Sequence, residues 1–135
     1  MADALKVLHI EDDFADAMLF QHALCEAGAY DVQLEAARTL KDGIKRLQRN
    51  TYDLIILDLR LPDSITPAET VQATESAANG VPILVLTGSA NVDAASLGPH
   101  VVCLDKNEFF AGHGPKQPDK LLQSVLEAAD NVIHL

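Results

Sequence analysis

Apolar residues along the chain follow two alternating patterns. Short runs with little polar interruption stand at Lys6-Val7-Leu8-His9-Ile10, Asp53-Leu54-Ile55-Ile56-Leu57-Asp58, Pro82-Ile83-Leu84-Val85-Leu86-Thr87 and Val101-Val102-Cys103-Leu104. Runs of this kind suit strands covered on both faces. Val32 to Ala36 predicts one more strand. Between them apolar residues recur at helical spacing. Leu19, Phe20, Ala23, Leu24 and Ala27 form a stripe closed by Gly28. Thr39 is placed to cap a helix carrying Leu40, Ile44 and Leu47, weakened by Gly43. Thr66-Pro67-Ala68-Glu69 has the form of a capping box with proline at the first helical position. The helix it opens runs to about Asn79-Gly80, with Val71 as its one large apolar residue. A short polar helix is predicted after Asn91. A last helix from Pro118 is predicted to bury Leu121, Leu122, Val125, Leu126, Ala129, Val132 and Ile133. Five strands alternating with five helices predict an α/β fold, a doubly wound five-stranded parallel sheet.

Ligands in such sheets sit outside the carboxyl ends of the strands. The first strand ends in Glu11 and Asp12, the third in Asp58, the fourth in Thr87-Gly88-Ser89 and the fifth in Asp105-Lys106. Three carboxylates, a hydroxyl and an ammonium therefore converge on one edge. Carboxylates gathered in a partly enclosed pocket repel one another unless they share a cation. With no Cys and no evident His on offer, the donor set suits Mg²⁺ rather than Zn²⁺. Lys106 adds a point charge for a phosphoryl oxygen, and Thr87 a hydrogen bond to the same group. The set fits an aspartate that accepts a phosphoryl group with Mg²⁺ assistance.

Composition narrows the field. The 135 residues make one domain, 1–135, and 48% hydrophobic content suffices for a core. Twenty Asp and Glu against ten Lys and Arg give a net charge of −10, which opposes a nucleic-acid or anionic membrane surface. No apolar run approaches a membrane span, and the N-terminus lacks the order of a signal peptide. Cys25 and Cys103 stand far apart and read as reduced thiols of a cytoplasmic protein. Of the histidines, His9 reads as a satisfied, buried or half-buried strand residue, and none has ligand spacing. Cys25 reads as a packing residue.

With the segments Val7 to Asp13, Tyr52 to Asp63, Pro82 to Gly88 and Leu104 to Lys106 in this order, the chain resembles the receiver domains of bacterial two-component response regulators. The resemblance implies a flavodoxin-like sheet of order 2-1-3-4-5. It implies that Asp58 is phosphorylated by a sensor histidine kinase or a histidine phosphotransfer protein. Asp12 matches the direct Mg²⁺ ligand, Glu11 the second acid, and the backbone carbonyl of Arg60 a further ligand, with Asp13 in an outer role. Thr87 matches the switch hydroxyl, and Lys106 the lysine that pairs with the phosphoryl group.

The pattern is also departed from. Cys103 stands where the family usually has an aromatic switch residue, Asn107 replaces a proline and Thr66 a glycine. The stretch from Thr87 to Lys106 is shorter than usual. The stretch after Lys106 is longer, an extended loop over about 107–117 that carries Phe109-Phe110 as a lid or a partner contact. Both changes fall on the face of the fourth helix, fifth strand and fifth helix, so an unusual output is expected. The Arg60 side chain either overhangs the pocket or is a solvated loop residue.

The expected function is a stand-alone response regulator, not an enzyme, that switches contact with a downstream protein. A homodimer through the altered face is left open. The alternative is a receiver-like binding module that is not phosphorylated in use. A haloacid-dehalogenase type phosphohydrolase wants a second Asp two residues after its nucleophile, where this chain has Arg60.

Overall fold

Five parallel strands are hydrogen-bonded in the order β2-β1-β3-β4-β5, the order expected from the resemblance. They are β1 (Leu5–Ile10), β2 (Val32–Ala37), β3 (Leu54–Leu57), β4 (Ile83–Thr87) and β5 (Val101–Asp105). The helices are α1 (Phe14–Glu26), α2 (Leu40–Arg49), α3 (Pro67–Ala78) and α4 (Pro118–Asp130), α4 being the last helix of the sequence reading. This computed structural model describes residues 5–28, 32–64, 66–88, 101–106 and 118–130. The polar helix expected after Asn91, Asn107, the 107–117 loop with Phe109-Phe110, and Val132 and Ile133 lie outside them.

Strand alternation divides the core into two layers. Val7, Leu54, Ile56, Leu84 and Leu86 face Phe20, Ala23 and Leu24 of α1 and Leu121, Val125 and Ala128 of α4. Leu8, Ile10, Ile55, Leu57, Ile83 and Val85 face Leu40 and Leu47 of α2 and Val71 and Ala78 of α3. Both faces of the sheet are thus covered, which is why the middle strands are apolar throughout.

The helix starts follow from local chemistry. Asp13 caps α1 by accepting from the Asp16 backbone N–H at 3.1 Å. Thr39 caps α2 through the Asp42 N–H, and Thr66 caps α3 through the Glu69 N–H with Pro67 beside it. Asp63, from the loop before α3, reaches the Leu40 and Lys41 N–H groups at 2.8 and 2.9 Å and closes the first turn of α2. Gly43 lets α2 settle onto the sheet, since a Cβ there would stand 2.5 Å from Ile10 Cδ1. The weak pattern of α3 also has a cause: Thr70 and Thr74 are buried, so part of its inward face is hydroxyl rather than hydrocarbon.

Three expectations are corrected. Leu126 is 45% exposed, because the inward stripe of α4 runs through Leu121, Val125 and Ala128 and turns the next position outward. Cys25 is exposed, one position past inward Leu24. His9 is buried as expected but not satisfied: neither ring nitrogen has a hydrogen-bond partner among the described residues. Its ring lies 4.8 Å from that of Phe20.

Candidate functional site

The strands are wound outward in opposite directions from β1 and from β3, and the crevice opens at that switch point. Ile10 pairs with Leu57, and the Asp58 N–H donates to the Ile10 carbonyl at 3.0 Å. This register sets Glu11 and Asp58, the residues that follow the two strands, side by side. Both are buried, at 2% and 5% exposure. On the far side, Thr87 pairs with Asp105 at the ends of β4 and β5, and Lys106 follows.

The Lys106 ammonium crosses to the acids. Its Nζ lies 2.5 Å from Glu11 Oε1, 2.9 Å from Asp16 Oδ2 and 3.3 Å from Asp58 Oδ2. The other Asp58 oxygen, Oδ1, accepts from the Arg60 backbone N–H at 3.1 Å. Asp12, Asp13 and Asp16 from the start of α1 line a cavity of about 420 Å³ together with Asp58, Arg60, Gly88 and Lys106. Of the residues expected at the site, Asp12, Asp58, Arg60 and Lys106 therefore share one cavity. Glu11 reaches it through Lys106, and Thr87 is buried at the end of β4 beside Gly88.

Asp16 was not singled out from the sequence. Its signal was present, as an acid three residues after Asp13. The same spacing is that of an N-cap followed by a first-turn acid, which the helix dipole favours without any further role.

Burial and pairing set the charges. Burial pushes the Glu11 carboxyl up to about 8, and its hydrogen bond with Asp58 adds to that. Burial also opposes ionisation of Asp58. Hydrogen bonding from Glu11, the Lys106 charge and the Arg60 N–H outweigh it and hold Asp58 below the usual carboxylate range. For Lys106 burial works against the charge, but the bonds to Glu11 and Asp16 prevail and keep it protonated. The site therefore holds an ionised Asp58 beside a protonated lysine.

The donors fit a hard divalent cation. They are all oxygen, and Glu11 Oε2 is a buried carboxylate oxygen without a partner among the described residues. No three acidic, His or Cys side chains are already closed around a common point among the described residues, and one ammonium joins Glu11 and Asp58. An all-oxygen ligand set suits Mg²⁺, which keeps several of its waters.

Residues 7–100 match the family described as the response regulator receiver domain. The luminescence regulatory protein LuxO of Vibrio campbellii is 33% identical over 86 residues, covering 64% of this chain and 18% of that protein. The chain thus spans about a fifth of the length of the LuxO relatives it matches. A receiver domain protein (CheY-like) from Methanospirillum hungatei superposes with a TM-score of 0.72 at 19% identity, over 98% of each chain. The receiver domain of a Pseudomonas aeruginosa sensor histidine kinase does so at 0.72 and 18% identity, over 95% of this chain and 99% of that one. That structure has a magnesium ion coordinated in its active-site cleft. Among the described residues, no helix is long and apolar enough to cross a membrane.

Proposed function

Because this chain belongs to the response regulator receiver domain family of two-component signalling, we propose that it accepts a phosphoryl group on Asp58 and switches a protein–protein contact. The observation that supports this most is the pairing of a buried Asp58, kept ionised, with the Lys106 ammonium at 3.3 Å. An anionic carboxylate is the nucleophile the transfer needs, and a fixed cation meets the charge that arrives.

In the proposed step one Asp58 oxygen forms a bond to phosphorus as the P–N bond of a phosphohistidine breaks. The imidazole nitrogen of the donor leaves with the bonding pair. The Arg60 N–H holds Asp58 Oδ1, so the carboxylate is oriented before the donor arrives. Glu11, Asp12, Asp58 and the Arg60 carbonyl are the residues we propose for magnesium. When bound, the ion neutralises carboxylate charge and polarises phosphoryl oxygens. Lys106 is the proposed partner of the phosphoryl group and Thr87 the hydroxyl that reports its presence.

The donor is a sensor histidine kinase or a phosphotransfer protein. The charge of −10 favours a protein over nucleic acid as the output partner. Cys103, half-buried on β5, cannot swing as an aromatic ring would, so the output face is coupled to Thr87 by another route. The free thiols of Cys25 and Cys103 suit a cytoplasmic setting.

The test is incubation with Mg²⁺ and acetyl phosphate, read by intact mass, beside Asp58→Asn. The expected result is one phosphoryl adduct that needs Mg²⁺ and disappears in the variant. No adduct on the wild-type protein would favour the non-phosphorylated binding module instead.

A further inference from the structure

Lys106 has three N–H donors, and in this structure all three are engaged by carboxylates. Glu11 and Asp16 hold the shorter bonds, at 2.5 and 2.9 Å, and Asp58 the longest, at 3.3 Å. A phosphoryl group on Asp58 needs one of these donors, so an acid must yield. Glu11 and Asp58 belong to the proposed magnesium set, where a bound cation would share the neutralisation of both. Asp16 lies outside that set. Its bond to the lysine would therefore not be relieved by the cation.

The placement of Asp16 does not depend on this bond. Its backbone N–H is tied to Asp13 Oδ1 in the N-cap of α1, so the first helical turn fixes its Cα. The side chain is 31% exposed and lines the cavity, where its negative charge also faces an incoming phosphoryl anion. Nothing in the capping of α1 requires a carboxylate there.

We infer that Asp16 is a positioning residue that competes with the phosphoryl group for Lys106 and so acts as a brake on phosphoryl capture. The inference rests on the phosphoacceptor reading of Asp58 and deepens it, giving the site a built-in setting of its own gain. A partly exposed charged hydrogen bond sets the scale of the effect, roughly threefold to tenfold in affinity for a phosphoryl-like anion.

The experiment compares wild-type protein with Asp16→Asn, Asp16→Ala and Asp16→Glu at saturating Mg²⁺. Beryllofluoride affinity is read by ¹⁹F NMR, and the acetyl phosphate dependence of adduct formation by intact mass. Asp16→Asn and Asp16→Ala are expected to bind beryllofluoride roughly threefold to tenfold more tightly. Half-saturation by acetyl phosphate should fall while the maximal rate changes little, and Asp16→Glu should return toward wild type. Magnesium affinity, titrated alone, should fall by no more than about fivefold, the loss expected from removing one unbonded charge that lines the same cavity. Unchanged or weakened beryllofluoride binding in the Asn and Ala variants would overturn the inference. So would a loss of magnesium affinity beyond that, which would make Asp16 a ligand of the ion. If the wild-type protein takes neither beryllofluoride nor phosphoryl, it is the phosphoacceptor reading that fails, and the inference falls with it.

Discussion

Replacing His9 by leucine should stabilise the protein, and by more in acid than at neutral pH. His9 is 1% exposed, packs its ring on Phe20, and has no hydrogen-bond partner on either nitrogen among the described residues. A neutral imidazole carries one donor and one acceptor, and each buried polar group left unpaired costs about 1–3 kcal/mol. Leucine has nearly the same volume and no polar atom. A net gain of about 1–3 kcal/mol at pH 8 is expected, allowing for imperfect repacking. Burial, helped by the Lys106 charge and opposed by Asp58, lowers the His9 pKa from 6.5 to about 3. The unfolded chain therefore takes up a proton below pH 6.5 that the folded chain refuses. Stability is whole above 6.5 and declines toward pH 3, by about 1.4 kcal/mol for each pH unit. At pH 5 the wild-type protein should have lost about 2 kcal/mol through this group, and the variant nothing. Urea denaturation in EDTA at pH 8 and pH 5 measures both effects, with equal m-values confirming comparable unfolding. A variant no more stable at pH 8, with a pH profile parallel to wild type, would refute the reasoning.

Three further outcomes are expected. Gly43→Ala should lose about 1–3 kcal/mol in urea denaturation despite alanine's better helix propensity, because the new Cβ meets Ile10 Cδ1; adding Ile10→Val, which removes that methyl but leaves Cγ1 2.9 Å from the new Cβ, should recover only part of the loss. Asp63→Ala should cost about 1 kcal/mol by freeing two N–H groups of α2. Burial works against the Asp63 charge but these N–H bonds hold its pKa below the usual carboxylate range, so this contribution is present at neutral pH and fades in acid as pH falls through that depressed value, which a denaturation series below pH 5 would show. Lys106→Met leaves Glu11, Asp16 and Asp58 without their shared cation and should cost about 2–4 kcal/mol in EDTA. Millimolar Mg²⁺ should then raise the variant's melting temperature more than the wild type's, and equal increments would count against a common charge cluster.

The sheet was legible because strands buried on both faces leave unbroken apolar runs, and the caps because Thr39 and Thr66 are short side chains with an acid three residues on. The acids at the strand ends were legible for a similar reason: Glu11 and Asp58 interrupt those runs abruptly. What stayed hidden depends on which way a side chain turns or how far it reaches. Leu126 and Cys25 are each one position beyond an inward residue, and a rotation of about 100° decides their exposure. Asp63 caps a helix 23 residues away in sequence, across a loop whose path no local pattern encodes. Asp16 resembled an ordinary first-turn acid, and only the arrival of Lys106 from β5, 90 residues later, gives it a second part. His9 sits within an apolar strand, and its lack of partners is a property of the packed core rather than of its neighbours in sequence.

Whether Asp58 is the group that carries phosphate is decided by locating the phosphoryl bond itself. The protein is treated with Mg²⁺ and phosphoramidate, a P–N donor, trapped with borohydride and mapped by peptide mass spectrometry. Reduction of the acyl phosphate is expected at Asp58 and at no other residue. A trapped group at Asp12, Asp13 or Asp16, or a phosphoryl group on one of the histidines, would contradict it.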